Sequence, residues 1–503
     1  MRKWMILVVA SLSLSIQAQQ TNVLLIIADD LGIDSLAAFN DDGAAELPTT
    51  PTIDNIQSNG ITFTRFYSYS TCSPTRSAIL TGRYAFRTGV YSPNDNDLMA
   101  NEFTLPDALI ESGVISNRLA QIGKWHLGNA ADSPNTLGGW PHFSGALGGG
   151  LSSYTNWAKT VNGVTANNYA VYATTDNVND AANWIDTQGT NSWFCWLAFN
   201  APHTPLERPP NDLHDYDDIR DGVFDRSRNH FEATVQAMDT EMERLLTHVD
   251  LSETTVIFMG DNGTTGMQVQ SPFTTTHAKG SAYEGGIRVP LLICGAAVSN
   301  GLENTVYDGH LHSVDLYATI LDLFGVETRS VVPAELEYDT RSFAAALRGE
   351  AYIRDPAVIM VNNAFGTSPA RSIMEGDYKL IDFESGSPEF YNVSLDLPES
   401  VNLLSGTLSS VEQAAYESLT NKLVTYINTP RLHSTYMDGD GKLNVEVGWF
   451  DHQGFTLHRA ENLASNDWAA VAGQEFEDAG SAALILRDPA PPASNAFYRV
   501  TTP

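Results

Sequence analysis

The chain has 503 residues, with 28 Lys and Arg against 60 Asp and Glu, a formal net charge of −32 at pH 7, and 43% hydrophobic residues. That length accommodates two or three domains with sizeable cores. The acidic excess excludes nucleic acid as a bulk partner, and any anionic ligand must be held by a local cationic pocket.

Residues 1–18 carry Arg2 and Lys3, an apolar run from Trp4 through Val9, a Ser/Leu stretch and Ala18. This is a signal-peptide pattern, too short to span a bilayer. No cysteine follows that could carry a lipid, and no later stretch is long and apolar enough to cross a membrane. The expectation is a periplasmic or secreted protein without a membrane anchor. Three cysteines in so long an exported chain argue against a disulfide framework. Cys195 and Cys294 sit in apolar strand-like runs and read as core thiols, and only neighbouring strands would let them pair.

The first run, TNVLLIIADDLG (21–32), reads as a buried parallel strand ending in Asp29 and Asp30. TCSPTRSAILTGRY (71–84) follows, where Ser73 and Pro74 read as a helix start, with Cys72 at its N-terminus and Arg76 one turn on. Helix dipoles there favour a nucleophile and an anion that Arg76 can also reach. LPDALIESG (105–113) is helical in pattern, and RLAQIGKWHLG (118–128) is a strand delivering Lys124 and His126, predicted to share one face. A Gly-rich segment, GGWPHFSGALGGGLSSYTNW (138–157), comes next. SWFCWLAFNAPHTP (192–205) is a strand ending near His203, HFEATVQAMDTEMERLLTHV (230–249) is a helix, and TTVIFMGDNG (254–263) is a strand ending in Asp261 and Asn262. HAKGSAYEGGIRVP (277–290) presents Lys279. Strands alternating with helices, with polar residues at strand C-termini, predict an α/β fold. Its doubly wound, mostly parallel sheet is flanked by helices, with the site along one edge.

Near residue 345 the pattern changes to short strands and a helix at 411–427, predicting a smaller antiparallel α+β subdomain over 346–432, after a main domain over 19–345. From 433 to 503 a β-rich module is expected. Its MDGDGKLN (437–444) imitates a calcium loop without the closing glutamate, and reads as an acidic turn.

Three carboxylates and an amide oxygen, Asp29, Asp30, Asp261 and Asn262, form a hard-oxygen set suited to one divalent cation, calcium or alternatively magnesium. Each pair alone reads equally as a helix cap or a turn.

Cys72-x-Pro74-x-Arg76, followed by Leu80, Thr81, Gly82 and Arg83, resembles the signature of the type I sulfatases, in the alkaline phosphatase-like superfamily. The resemblance runs from about residue 21 to 430. It implies that a formylglycine-generating maturation enzyme converts Cys72 to formylglycine (3-oxoalanine), which joins Asp29, Asp30, Asp261 and Asn262 around the metal. It also implies that Arg76, Lys124, His126, His203 and Lys279 contact sulfate or move protons. A divalent cation with Arg76, Lys124 and Lys279 outweighs the three aspartates and suits a sulfate ester. The expected substrate is a sulfated polysaccharide or oligosaccharide, with Trp140, His142, Trp157 and His277 as candidate sugar contacts. The competing readings are a phosphomonoesterase or phosphodiesterase on the same scaffold, and a non-catalytic glycan-binding protein.

Overall fold

The apolar runs become the strands of one ten-stranded mixed sheet: β1 (Asn22–Ala28), β2 (Gly60–Phe63), β3 (Leu119–Lys124), β4 (His142–Ala146), β5 (Trp157–Val161), β6 (Val164–Tyr169), β7 (Phe194–Ala198), β8 (Thr254–Gly260), β9 (Leu291–Gly295) and β10 (Thr305–Tyr307). Their order is β10-β2-β9-β8-β1-β7-β3-β4-β5-β6. The central five, β8 through β4, are parallel. Antiparallel β9, then β2, flank them on one side, and the β5–β6 hairpin on the other. This computed structural model describes residues 21–501, apart from 41, 42, 44, 95, 218, 221–226, 334, 335, 355, 356, 362–368, 428–430, 449–455, 461–468, 481, 482 and 493–496. The expected signal peptide, 1–18, lies outside the described residues. Among them, no helix is long and apolar enough to cross a membrane.

Alternation along β1 splits the interior into two cores, because successive side chains leave a strand on opposite faces. Val23, Leu25 and Ile27 join one cluster, and Leu24, Ile26 and Ala28 the other. Helices α1 (Pro51–Ser58), α4 (Ala173–Asp186) and α5 (Arg228–Leu246) cover the second face through Ile53, Val178 and Val235. Helices α2 (Cys72–Thr81), α3 (Leu105–Glu111) and α6 (Asp315–Leu323) cover the first through Leu80, Leu109 and Ile320. Each fully buried Leu or Ile contributes about 1.5–3 kcal/mol through burial. β1, β7 and β8 are buried along their whole length, which is why they read as unbroken apolar runs. Cys195 on β7 and Cys294 on β9 are separated by β1 and β8, and all three cysteines are free.

The second sheet is antiparallel in sequence order: β11 (Ala357–Val361), β12 (Ala370–Glu375), β13 (Tyr378–Phe383) and β14 (Glu389–Asn392). Helix α7 (Ser410–Ile427) packs on it through Leu419 and Leu423, and the same cluster includes Tyr67, Tyr69, Ala78 and Ile287 from the larger part. Buried Lys379 draws the two parts together, binding Glu284 at 3.1 Å and Glu399 at 2.8 Å. The tail forms two small antiparallel sheets around Val445, Leu457, Val471 and Leu486. In its acidic turn, Asp438 Oδ1 accepts the Asp440 and Lys442 amides at 3.0 and 2.9 Å. Those bonds close the turn on itself, as a turn-forming aspartate does.

Candidate active site

The register of the parallel strands brings the polar residues together. Ala28 pairs with Gly260, Ile27 with Ala198, and Ala198 with Gly123. The next residues of β1, β8 and β3 therefore emerge side by side at one edge. Gly123 has φ +96°, and a Cβ there would stand 1.9 Å from the Ala198 carbonyl, so only glycine lets β3 approach β7 this closely. Asp30 and His126 adopt left-handed φ values of +69° and +58°. These turns, uncommon outside glycine, direct both side chains back over the sheet edge. β3 ends at Lys124, so it is this turn that brings His126 beside Lys124, and strand alternation plays no part.

Helix α2 begins at Cys72 with Thr71 before it, earlier than the Ser73 start predicted. The Ser73 hydroxyl is otherwise engaged, donating to the His126 carbonyl at 3.0 Å. Gly82 closes the helix at φ +68°. Cys72 is buried, with His126 Nδ1 3.1 Å from its Sγ. Arg76 Nη2 donates to Asp261 Oδ2 at 2.9 Å and Nη1 to the Lys124 carbonyl at 3.0 Å. Lys124 Nζ donates to Asp29 Oδ2 at 2.5 Å, and Lys279 Nζ to Asp30 Oδ1. Asn262 Nδ2 donates to Asp30 Oδ1 at 2.8 Å, and the Asp30 amide to Asp261 Oδ1 at 3.1 Å. His203 is the most exposed of these side chains at 21%, with Nε2 3.8 Å from Asp30 Oδ2.

Three buried carboxylates thus face three buried cations, a nearly neutral assembly. Burial, with Asp261 and Asp30 adding to it, pushes Asp29 upward even though Lys124 pulls the other way. Asp30 is driven the other way: Lys279 and His203 overcome its burial and hold it well below the usual carboxylate range. Burial pushes His126 well below its ordinary value, helped by Lys124 and Arg76. Burial also lowers His203 to about 4, with Asp30 opposing and Lys279 assisting. Both imidazoles are neutral at pH 7, the form that accepts a proton. Burial raises the Cys72 thiol, so it is protonated and a poor nucleophile as it stands.

Asp29 Oδ1 and Asn262 Oδ1 are buried acceptors without a hydrogen-bond partner. One ligand atom each from Asp29, Cys72 and Asp261 falls within 4.8 Å of the others, as does one each from Asp29, Asp30 and His203. Orphaned hard oxygens beside two further carboxylates fit a divalent cation such as calcium or magnesium.

A family model described as Sulfatase matches residues 21–326, more than half of the chain. The chain belongs to the sulfatase family. It is 27% identical over 336 residues to Arylsulfatase J of Mus musculus, covering 60% of this chain and 52% of that protein, so this match spans about half of the relative's length. It is 26% identical over 506 residues to a protein named Sulfatase from Formosa agariphila, covering 81% of this chain and 89% of that one. The crystal structure of Ps i-CgsB in complex with k-i-k-neocarrahexaose shares the fold, with a TM-score of 0.68, 22% identity, and 81% and 93% of the two chains covered.

In this sulfatase three of the four candidate sugar contacts, Trp140, Trp157 and His142, part company with the site. Trp140 is 1% exposed in the core, its ring against Phe194 and Trp196. Trp157 is 2% exposed, and its Nε1 donates to the Val171 carbonyl at 3.0 Å. Neither ring offers a face to a sugar. His142 opens β4, at the opposite end from Ala146, which pairs with Lys124, and so lies at the far edge of the sheet. His277 alone stands on the loop that carries Lys279, with its ring stacked on Tyr283 at 3.6 Å and its Nδ1 donating to the Pro398 carbonyl at 2.9 Å. Sequence reading missed Asp34, which accepts Thr264 Oγ1 at 2.7 Å and the Gln270 amide at 3.2 Å, clipping the loops after β1 and β8 together. A third acid within six residues of Asp29 was the available signal.

Proposed function

We propose that this sulfatase is an exported sulfuric ester hydrolase acting on a sulfated polysaccharide or oligosaccharide, through a formylglycine made from Cys72 by a maturation enzyme. The observation that carries the reading is Cys72 itself: a buried thiol at a helix N-terminus, 3.1 Å from His126 Nδ1 and in the electrostatic reach of the Lys124 and Lys279 ammonium groups. As a thiol it is inert. As an aldehyde hydrate it carries two hydroxyl oxygens on Cβ, one in place of Sγ and the other in place of a hydrogen.

Asp29, Asp30, Asp261 and Asn262 would hold a divalent cation, and such a cation polarises the nucleophilic oxygen and the sulfate when bound. The protein's own groups do the rest. Arg76, Lys124 and Lys279 neutralise charge on the sulfate oxygens as the ester bond breaks. One hydrate hydroxyl, its proton released to solvent water, attacks sulfur in line with the ester oxygen, forming the oxygen–sulfur bond as the sulfur–alkoxide bond breaks. His203, with Lys279 beside it, supplies the proton to the departing alcohol, the incoming anion raising the proton affinity of that imidazole. His126 Nδ1 then takes the proton of the second hydroxyl, sulfate departs with the electron pair of its carbon–oxygen bond, and the aldehyde returns. Each positioned proton transfer contributes roughly 10²- to 10⁴-fold.

The substrate class draws support from the neocarrahexaose bound by Ps i-CgsB, and a sugar-contact role for His277 belongs to this proposal. The test is parallel assay of the matured protein on aryl sulfate, aryl phosphate and a panel of sulfated glycans, read as free sulfate or phosphate. Sulfate release from a glycan is expected, and preference for phosphate esters would replace this reading with the phosphohydrolase one.

A further inference from the structure

Immediately after β4 the chain runs Leu147-Gly148-Gly149-Gly150 and crosses the two histidines as a strap. At its start the Leu147 carbonyl accepts the His126 amide at 3.0 Å. At its far end the Tyr154 hydroxyl is shared between the Asn200 and His203 carbonyls, 2.8 Å from each, and the Tyr154 amide donates to Glu207 Oε2 at 2.9 Å. The strap is therefore pinned to both segments that bear a histidine.

Its three glycines meet different surroundings. A Cβ built on Gly149 would lie 2.3 Å from His126 Cε1, 2.4 Å from Nε2 and 2.9 Å from Nδ1. A Cβ on Gly150 would lie 3.1 Å from His203 Cε1, a contact that a small shift relieves. A Cβ on Gly148 meets nothing closer than the Gly150 carbonyl oxygen at 3.7 Å. None of the three is among the glycines with positive φ. No left-handed φ therefore demands glycine at any of the three, and at Gly149 the three atoms nearest to an added Cβ all belong to the His126 imidazole.

We propose that Gly149 is a positioning residue for sulfate-ester cleavage, its bare α-carbon being the rest that holds the His126 ring against residue 72. The inference rests on the formylglycine reading, in which His126 acts in the second half of the reaction. The His126 backbone is held at φ +58°, with its amide on Leu147 and its carbonyl on Ser73, so a methyl group at 149 is relieved by turning the ring. The turned ring leaves residue 72, and the proton of the remaining hydroxyl has no acceptor. The sulfated enzyme then forms at its usual rate and breaks down slowly.

The experiment compares matured wild type with Gly148→Ala, Gly149→Ala and Gly150→Ala on an aryl sulfate, with melting midpoints, steady-state kinetics, and intact masses of acid-quenched enzyme. Gly149→Ala is expected to lower kcat by at least about 10-fold, within the range of a lost proton acceptor. KM falls with it, kcat/KM is nearly kept, a stoichiometric burst of phenol appears, and the sulfated enzyme accumulates. Gly148→Ala behaves as wild type, Gly150→Ala falls between, and His126→Ala/Gly149→Ala is no slower than His126→Ala. Equal kinetics for Gly148→Ala and Gly149→Ala overturn the inference. So does a fall in kcat/KM without burst or sulfated enzyme, or a melting midpoint for Gly149→Ala far below the other two, which would make the glycine a requirement of the fold. A wild type that releases no sulfate from any ester is a separate outcome and refutes the proposed function itself.

Discussion

Replacing Arg76 separates the charge of this residue from its forked geometry. The buried guanidinium spans two strand ends, Asp261 after β8 and the Lys124 carbonyl at the end of β3. Arg76→Ala leaves Asp261 Oδ2 buried without a counter-charge, although Oδ1 keeps the Asp30 amide. Breaking a buried pair from one side costs about 3–5 kcal/mol. The Lys124 carbonyl adds little to this, because Gln121 Nε2 also donates to it at 2.8 Å. Arg76→Lys keeps a charge that reaches one of the two partners, so it forfeits one hydrogen bond, about 1 kcal/mol. The two variants should therefore differ by about 2–4 kcal/mol. Urea unfolding in chelator, followed by the fluorescence of the core residues Trp125, Trp140, Trp193 and Trp196, reads the difference. Both variants should lose most of their sulfate release, since an ammonium does not reproduce the fork. Equal unfolding midpoints for the two, or an Arg76→Ala protein as stable as wild type, would refute this account of the pair.

His203→Ala should slow turnover by roughly 10²- to 10⁴-fold for alkyl sulfates and far less for aryl sulfates with acidic phenols, which leave unaided; a loss independent of the leaving group would remove His203 from the acid role. Trp157→Ala should destabilise the fold by about 3–5 kcal/mol in thermal or urea unfolding. KM for a glycan should stay unchanged, and a raised KM with unchanged stability would restore Trp157 as a sugar contact. Asp239, whose Oδ1 accepts the Ile53 amide at 2.8 Å and whose Oδ2 accepts that of Thr52 at 3.0 Å, is raised by burial to about 6. The folded form keeps its proton where the unfolded chain has lost it, so the contribution is complete below about pH 4 and vanishes as pH rises through about 6. The stability gap between wild type and Asp239→Asn should shift against wild type by up to about 3 kcal/mol from pH 4 to 7, and a flat gap would contradict the assignment.

What was legible in the sequence was what the sheet enforces. A strand buried on both faces must be apolar throughout, so its first polar residues mark the sheet edge. Asp29, Asp30, Asp261 and Asn262 were found that way, Lys124, beyond the buried Gln121 of β3, through the family resemblance, and the register brings them together. Aromatic residues in a Gly-rich stretch carry no such constraint. Trp140 and Trp157 read equally as stacking platforms and as core, and packing against Trp196 and the Val171 carbonyl decided the matter from distant parts of the chain. The left-handed turn at His126 was equally hidden, since its cost is met by bonds to Leu147 and Ser73. Nothing in the Gly-rich segment singles out Gly149 from its two neighbours, because the ring it meets is delivered by a different strand.

The central claim is that residue 72 works only after it has ceased to be cysteine. The direct test expresses the protein with varying amounts of a maturation enzyme and measures, in each preparation, the fraction of the tryptic peptide bearing residue 72 that carries the aldehyde, against the initial rate of sulfate release. Rate should rise in proportion to that fraction and extrapolate to zero for the unmodified thiol. Preparations holding only the Cys72 thiol that release sulfate as fast as the converted ones would contradict it.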